Sequence, residues 1–132
     1  MARFTCFEEI QVWQKARALA NELYGITGSG AFAKDFGLRD QLRRAGVSTM
    51  ANIAEGYERG GNKEFLQFLS VAKASAGEVR SHLYVALDLR FIDEKEFERL
   101  AGMSREVSKM LSGLMSYLRR TGMKGRKYID PA

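Results

Sequence analysis

Residues Gln41 to Glu78 constrain this chain more than any other stretch, because two successive helical periods each carry a polar strip beside an apolar one. At about 100° per residue, Leu38, Leu42, Ala45, Thr49, Ile53 and Tyr57 share one face, with Gln41, Arg44, Ser48, Asn52, Glu55 and Arg59 on the strip next to it. The following segment repeats the layout. Phe65, Phe68, Leu69, Ala72, Ala76, Val79, Leu83 and Ala86 form its apolar face; Glu64, Gln67, Ser75, Glu78 and His82 form its polar strip, with Val71 the one apolar member. Helices patterned in this way are covered on more than one side.

The rest of the chain is punctuated as a helical protein. A first helix is expected from near Phe7 to Gly28, with Ile10, Trp13, Ala16, Leu19, Ala20 and Leu23 spaced by three or four, and Gly28-Ser29-Gly30 as its cap and connection. Asp35 is placed to cap a second helix running to about Arg59. Gly60-Gly61-Asn62 is a break short enough to force an antiparallel return, with Asn62 as N-cap of a third helix ending near Phe91. Asp93 caps the fourth, whose Phe97, Leu100, Val107, Leu111, Leu114 and Leu118 repeat with bundle-seam spacing. The expected fold is all-α, an antiparallel up-down-up-down four-helix bundle over residues 1–118, followed by a basic, flexible tail over 119–132.

Composition removes several classes of function. A lone Cys6 and a lone His82 assemble neither an intrachain disulfide nor a His/Cys metal cluster, so no metal and no cofactor is expected. No apolar run approaches the roughly 20 residues needed to span a bilayer, and MARFTCFEEI lacks the apolar stretch of a secretory signal. The expected location is the cytoplasm. The net charge of +5 is unevenly held: residues 1–118 carry 16 Lys and Arg against 15 Asp and Glu, whereas Arg119, Arg120, Lys124, Arg126 and Lys127 oppose Asp130 alone.

In a hairpin turning at Gly60-Gly61-Asn62, residues whose numbers sum to about 122–123 lie level. Arg44 then meets Glu78, Ser48 meets Ser75, Glu55 meets Gln67, Arg59 meets Glu64 and Gln41 meets His82. The strips on the two helices either face each other or both point away, and the sequence leaves both arrangements open. Inward, Gln41, Ser48, Asn52, Glu55, Glu64, Ser75, Glu78 and His82 are a structural polar ladder fixing the register; outward, they form a seam between subunits. Val47, Met50, Ala51 and Ala54 put small and apolar side chains on a further side of helix two, which favours a homo-oligomer.

No catalytic residue is assigned. Glu55, Glu64 and Glu78 each have a cationic or amide partner at the same level, the environment of an ionised structural carboxylate. Glu78 and His82 lack the Glu-x-x-His spacing of a di-iron bundle, and neither a nucleophile elbow nor a phosphate-cradling loop is present. Nucleic-acid contact rests on Arg43, Arg44, Arg59 and the tail cations Arg119, Arg120, Lys124, Arg126 and Lys127, a set suited to phosphates without sequence specificity.

The residues Val12-Trp13-Gln14-Lys15-Ala16, Phe36-Gly37-Leu38, Gln41-Leu42-Arg43-Arg44-Ala45, Asn52-Ile53-Ala54-Glu55-Gly56 and Glu64-Phe65, together with Phe68-Leu69, Ala72, Ser75 and Glu78, closely resemble the 23S rRNA intervening sequence protein family, also labelled S23 ribosomal protein. The resemblance runs from residue 7 to about 118. Two departures stand out: Met50 and Ala33 occupy positions where members usually or often carry proline, so helix two should be straighter here. The resemblance implies a homopentamer without established enzymatic activity, often encoded within large-subunit rRNA genes. The architecture is also similar to accessory proteins of diversity-generating retroelements, basic pentamers that bind nucleic acid and a reverse transcriptase. The expected function is a non-enzymatic oligomeric accessory associated with RNA or a nucleoprotein, the alternative being a protein-binding scaffold that never touches nucleic acid.

Overall fold

The computed structural model describes residues 4–121, and the described residues contain helices and no strand. Four helices are long: α1 (Gln11–Ile26), α3 (Phe36–Glu58), α4 (Asn62–Asp88) and α5 (Glu94–Thr121), with a five-residue α2 (Gly30–Lys34) between the first two.

The expected start of the first helix is divided in two. Phe7–Glu9 form a single 3-10 turn, and Ile10 is extended and 1% exposed, so its side chain plugs the core before α1 begins. At the other end Thr27 is fully buried, and both its N–H and its hydroxyl donate to the carbonyl of Leu23. These bonds satisfy a carbonyl that the helix end leaves free. Helix α2 was expected to be only a connection; Gly30 takes a φ of 65° to enter it, and Phe32 buries its ring in a stack on Phe91 with centroids 5.0 Å apart. One buried residue in five positions leaves no periodicity to read.

Asp35 caps α3 as expected, its carboxylate accepting from Leu38 N–H at 3.0 Å, and Asp93 does the same for α5 with Glu96 N–H at 2.7 Å. Helix α3 runs unbroken through Met50. Asn62, expected as a cap, is instead the first residue of α4, and Gly61 precedes the helix without a side-chain cap. Helix α4 closes at Asp88, where Arg90 N–H bonds to Leu87 C=O and Phe91 N–H to Ala86 C=O. That is the Schellman arrangement, with Arg90 at φ 62° in a position usually given to glycine.

The four long helices are joined by contacts between neighbours. Gly46 packs on Ala20, Ser48 meets Ser75, Ser104 bonds to Ala76, and Lys15 pairs with Glu106. All four contribute to two stacked apolar clusters, one around Trp13, Ile53, Leu69 and Leu111, the other around Leu19, Leu42, Leu83 and Leu100. Burial of each such side chain contributes roughly 1.5–3 kcal/mol. The buried hydroxyls of Thr49 and Ser104 are satisfied by the carbonyls of Ala45 (2.8 Å) and Ala76 (2.6 Å). Two glycines allow close approach: a Cβ on Gly46 would stand 2.7 Å from Leu23 Cδ1, and one on Gly56 2.7 Å from Phe68 Cβ.

Candidate functional site

The outward surface of the α3–α4 hairpin holds most of the residues singled out from the sequence. At its centre the hydroxyls of Ser48 and Ser75 lie 2.9 Å apart, and Asn52 donates to both the carbonyl (2.8 Å) and the hydroxyl (3.0 Å) of Ser48. Ser75 is buried, Ser48 and Asn52 are half-buried, and the group fixes the register of the two helices.

Beyond this centre the expected cross-hairpin pairs give way to bonds along single helices. Glu55 pairs with Arg59 on its own helix at 3.0 Å, and Arg59 also lies over the Phe68 ring at 5.0 Å, so neither reaches its expected partner, Gln67 or Glu64. Glu78 stands 3.6 Å from His82 Nε2, too far for a hydrogen bond, and neither meets Arg44 or Gln41. The reason is geometric: Gln41, Arg44, Glu55, Glu64, Gln67 and Glu78 are all exposed, directed away from the helix interface rather than across it. The ladder is therefore one buried rung, with charges splayed outward on either side. Between those charges the surface is small and apolar, with Ala51, Ala74, Val47 (41% exposed) and Val71 (45% exposed).

The structure separates the candidate cations. Arg43 is half-buried, its Nε donating to Thr27 Oγ1 at 2.7 Å and its guanidinium lying 4.4 Å from the Tyr24 ring. Those contacts tie α3 to the end of α1. Arg44 is exposed beside it, in an open depression of about 380 Å³ lined also by Tyr24, Asp40 and Val47. Arg59 lies 15 residues further along α3, roughly 22 Å away, near the end of the molecule where Arg119 and Arg120 are exposed on the last turn of α5. Arg119 and Arg120, expected in the tail, are thus helical. Lys124, Arg126 and Lys127 lie outside the described residues.

A second groove, of about 340 Å³, is lined by Phe4, Ile10, Val12, Met110 and Leu114, with Glu9 and Gln11 at its edge. The carboxyl of Glu9 is held below the usual carboxylate range by the N–H and hydroxyl of Thr5. Nearby, burial raises the Tyr57 phenol, whose hydroxyl donates to Phe4 C=O at 3.0 Å. Among the described residues no three His, Cys, Asp or Glu side chains converge where a metal ion could sit. No helix among them is long and apolar enough to cross a membrane.

Sequence reading passed over one polar group. Arg80 on α4 donates from Nη1 to Ser104 (3.4 Å) and Ser108 (3.3 Å) on α5. The signal was available in the i, i+4 repeat of Ser104, Ser108 and Ser112 and in the two-turn spacing of Lys73 and Arg80.

Comparison with known proteins is consistent with this architecture. The chain resembles, with a TM-score of 0.72, the crystal structure of a protein of unknown function from the S23 ribosomal protein family of Bacteroides thetaiotaomicron; identity is 23%, covering 80% of this chain and 95% of that one. At that identity the likeness is one of fold. No curated protein matches the chain. The family model described as 23S rRNA-intervening sequence protein matches residues 8–113, and on that match over most of its length the chain belongs to the 23S rRNA-intervening sequence protein family.

Proposed function

We propose that this chain is a cytoplasmic, non-enzymatic, up-down-up-down four-helix bundle that assembles into a ring-like homo-oligomer, a pentamer by family resemblance, and serves as an accessory to RNA or a nucleoprotein such as a reverse transcriptase. The observation that carries the assembly is the outer α3–α4 surface. Val47, Ala51, Val71 and Ala74 leave a small, apolar strip in water beside the Ser48–Ser75 rung, and a second copy of the chain would cover it.

Nucleic-acid association draws support from charge. Arg44, Arg119 and Arg120 are exposed and pair with no carboxylate among the described residues, and Lys124, Arg126 and Lys127 follow them in the sequence. In a ring, each weak phosphate contact is repeated and strengthened by avidity. Arg43 and Arg59 are engaged in contacts within the chain and contribute less.

A protein-binding scaffold is the second reading, favoured by the near balance of 16 basic and 15 acidic residues over 1–118. Light scattering on the purified chain, with and without a short structured RNA at low and raised salt, tests both. An oligomer that takes up RNA only at low salt supports the accessory role; an oligomer indifferent to RNA at both salts supports the scaffold. A monomer at working concentration would remove the ring.

A further inference from the structure

The acids and bases of α4 and α5 are sorted onto opposite sides. Between Phe65 and Leu87 the one acidic residue of α4 is Glu78, and between Leu100 and Thr121 the one acidic residue of α5 is Glu106. Glu78 is two residues from Arg80, hence about 160° around the helix from it, and its carboxylate stands beside His82. Glu106 is two residues from Ser108, again on the far side, and pairs with Lys15 of α1 at 3.7 Å. Within these spans neither helix turns an acid to the α4–α5 seam; Glu98, two turns before Arg105 on the same line of α5, stands at its end.

The bases collect there. Lys73 and Arg80 are two turns apart on α4; Arg105, Ser112 and Arg119 follow one another at two-turn intervals on α5. Ser104 bonding to Ala76 and Asn62 to Leu118 set the register, which puts Ala76 level with Ser104; Arg80, one turn away, reaches back to Ser104 and Ser108 with its long side chain, and Lys73 lies roughly 10 Å from Arg80 along α4. From Arg105 to Arg119 the line extends about 21 Å. Among the described residues Arg105 forms an ion pair with Glu98 alone, at 3.8 Å with both side chains at least half exposed, a pairing that offsets little of its field.

Arg80 is the built element of this line. It is half-buried, held on the seam through Nη1 by two serine hydroxyls, with no carboxylate partner among the described residues. A Cβ added to Gly77 would come only within 3.8 Å of its Nη2, so that nitrogen borders a trough without a side chain. A guanidinium has five N–H donors, and the two serine contacts use one nitrogen.

We infer that the α4–α5 seam is a track for the phosphate backbone of RNA, seated on Arg80 and extended by Lys73, Arg105 and Arg119. The inference rests on the nucleic-acid reading above and specifies where contact is made. Cations rimmed by serine hydroxyls match the donors that meet phosphodiester oxygens. A membrane surface would call for apolar anchors standing free among the cations; between them the seam offers Gly77, Ser108 and Ser112, and the exposed Tyr84, one turn beyond Arg80, is packed on the Phe97 ring with centroids 4.7 Å apart. Val71 is two residues from Lys73 and points to the other flank of α4, so an assembly through the α3–α4 surface leaves the seam open.

The test is fluorescence anisotropy of a labelled RNA duplex of about 20 base pairs with the full chain, between about 50 and 200 mM salt. Replacing the exposed pair Lys73→Gln and Arg119→Gln removes about two phosphate contacts, so the log–log salt slope should shrink by nearly 2. Adding Arg80→Gln should take away about one more unit, whereas Arg17→Gln with Lys34→Gln, exposed cations of α1 and α2, should leave the slope within about half a unit of wild type. If Arg80→Gln fails to fold by circular dichroism, the exposed pair decides alone. A wild-type slope in the exposed-pair variant would overturn the seam while leaving RNA binding intact. A wild-type chain that ignores the duplex at low salt would overturn the nucleic-acid reading itself. Binding to phosphatidylserine vesicles in its place, lost in the same variants, would reassign the seam to a membrane.

Discussion

The side-chain amide of Asn62, in the first turn of α4, donates to the main-chain carbonyl of Leu118, in the last turn of α5, across 3.1 Å. Two helix ends that are 56 residues apart are thereby fastened together, and Leu118 C=O, which also accepts from Thr121 Oγ1 at 3.2 Å, is satisfied inside the protein. A cap and a clamp respond differently to Asp. As an N-cap, Asn62→Asp would be neutral; as the clamp seen here it loses its donor and sets a carboxylate against a carbonyl at a site only 9% exposed. Thermal melts should show Asn62→Ala costing about 1 kcal/mol and Asn62→Asp about 2 kcal/mol or more. Equal stability of the Asp variant and wild type would refute the clamp.

Glycine replacement should separate the two close helix approaches. Alanine normally favours a helix by about 1 kcal/mol over glycine, but at both positions the new Cβ meets a neighbour at 2.7 Å. At Gly46 that neighbour is Leu23 Cδ1, the far end of a side chain able to change rotamer; at Gly56 it is Phe68 Cβ, with Phe65 Cδ1 at 3.0 Å and Phe65 Cα at 3.4 Å behind it. Gly46→Ala is expected within about 1 kcal/mol of wild type, and Gly56→Ala about 1–3 kcal/mol less stable. Denaturant titration of both variants checks the order.

Most of this fold is written in its periodicity. Leu19, Leu42, Leu83 and Leu100 each belong to the apolar series of their own helix and all reach the same core cluster, while Asp35 and Asp93 act as the caps their positions announce. What escaped was local and short. A five-residue helix has no period, and Asn62 could be read as a cap because its role as a clamp depends on a carbonyl 56 residues away. The polar strip was visible, but its direction was not: rotational position around a helix tells which residues travel together, and only packing decides that Ser48 and Ser75 meet while Glu55 and Glu78 turn outward. Arg80 was overlooked for a related reason, since its serine partners belong to another helix.

Acid should dissolve one specific contact at the far end of the bundle. Arg99 bridges Glu96 (2.6 Å) and Glu22 (2.8 Å), joining α5 to α1, and its hydrogen bond holds the Glu96 carboxyl below the usual carboxylate range. A carboxyl whose pKa is lowered by folding adds stability that is present above its unfolded value, near 4.3, and lost as pH falls through the lower folded value. Arg99 is pushed upward by the same partners and stays charged throughout. Because the pair is partly exposed, Glu96→Gln should cost less than about 1 kcal/mol at neutral pH. The gap to wild type should narrow progressively as pH falls below the unfolded value near 4.3; a gap that does not narrow at all in acid would show that packing, not charge, accounts for it.

The apolar strip on the α3–α4 surface makes the proposed assembly vulnerable to a single charge. Val71 is 45% exposed, with Val47 at 41% on the neighbouring helix, and neither contributes to the two buried clusters. Substituting lysine at a half-exposed helix position should change the stability of the isolated chain by no more than about 0.5 kcal/mol. In an oligomer sealed through this strip, Val71→Lys would instead bring a buried, unpaired ammonium from every subunit to the interface, a far larger penalty. The expected result is a fall in light-scattering mass from oligomer to monomer with an unchanged helical circular dichroism spectrum. Val85→Lys is the control, because Val85 is 43% exposed but lies about 21 Å further along α4 than Val71, well away from the Ser48–Ser75 rung. If both variants keep the wild-type oligomer mass, subunits meet elsewhere; if both dissociate, the contact extends along α4 well beyond the Ser48–Ser75 rung.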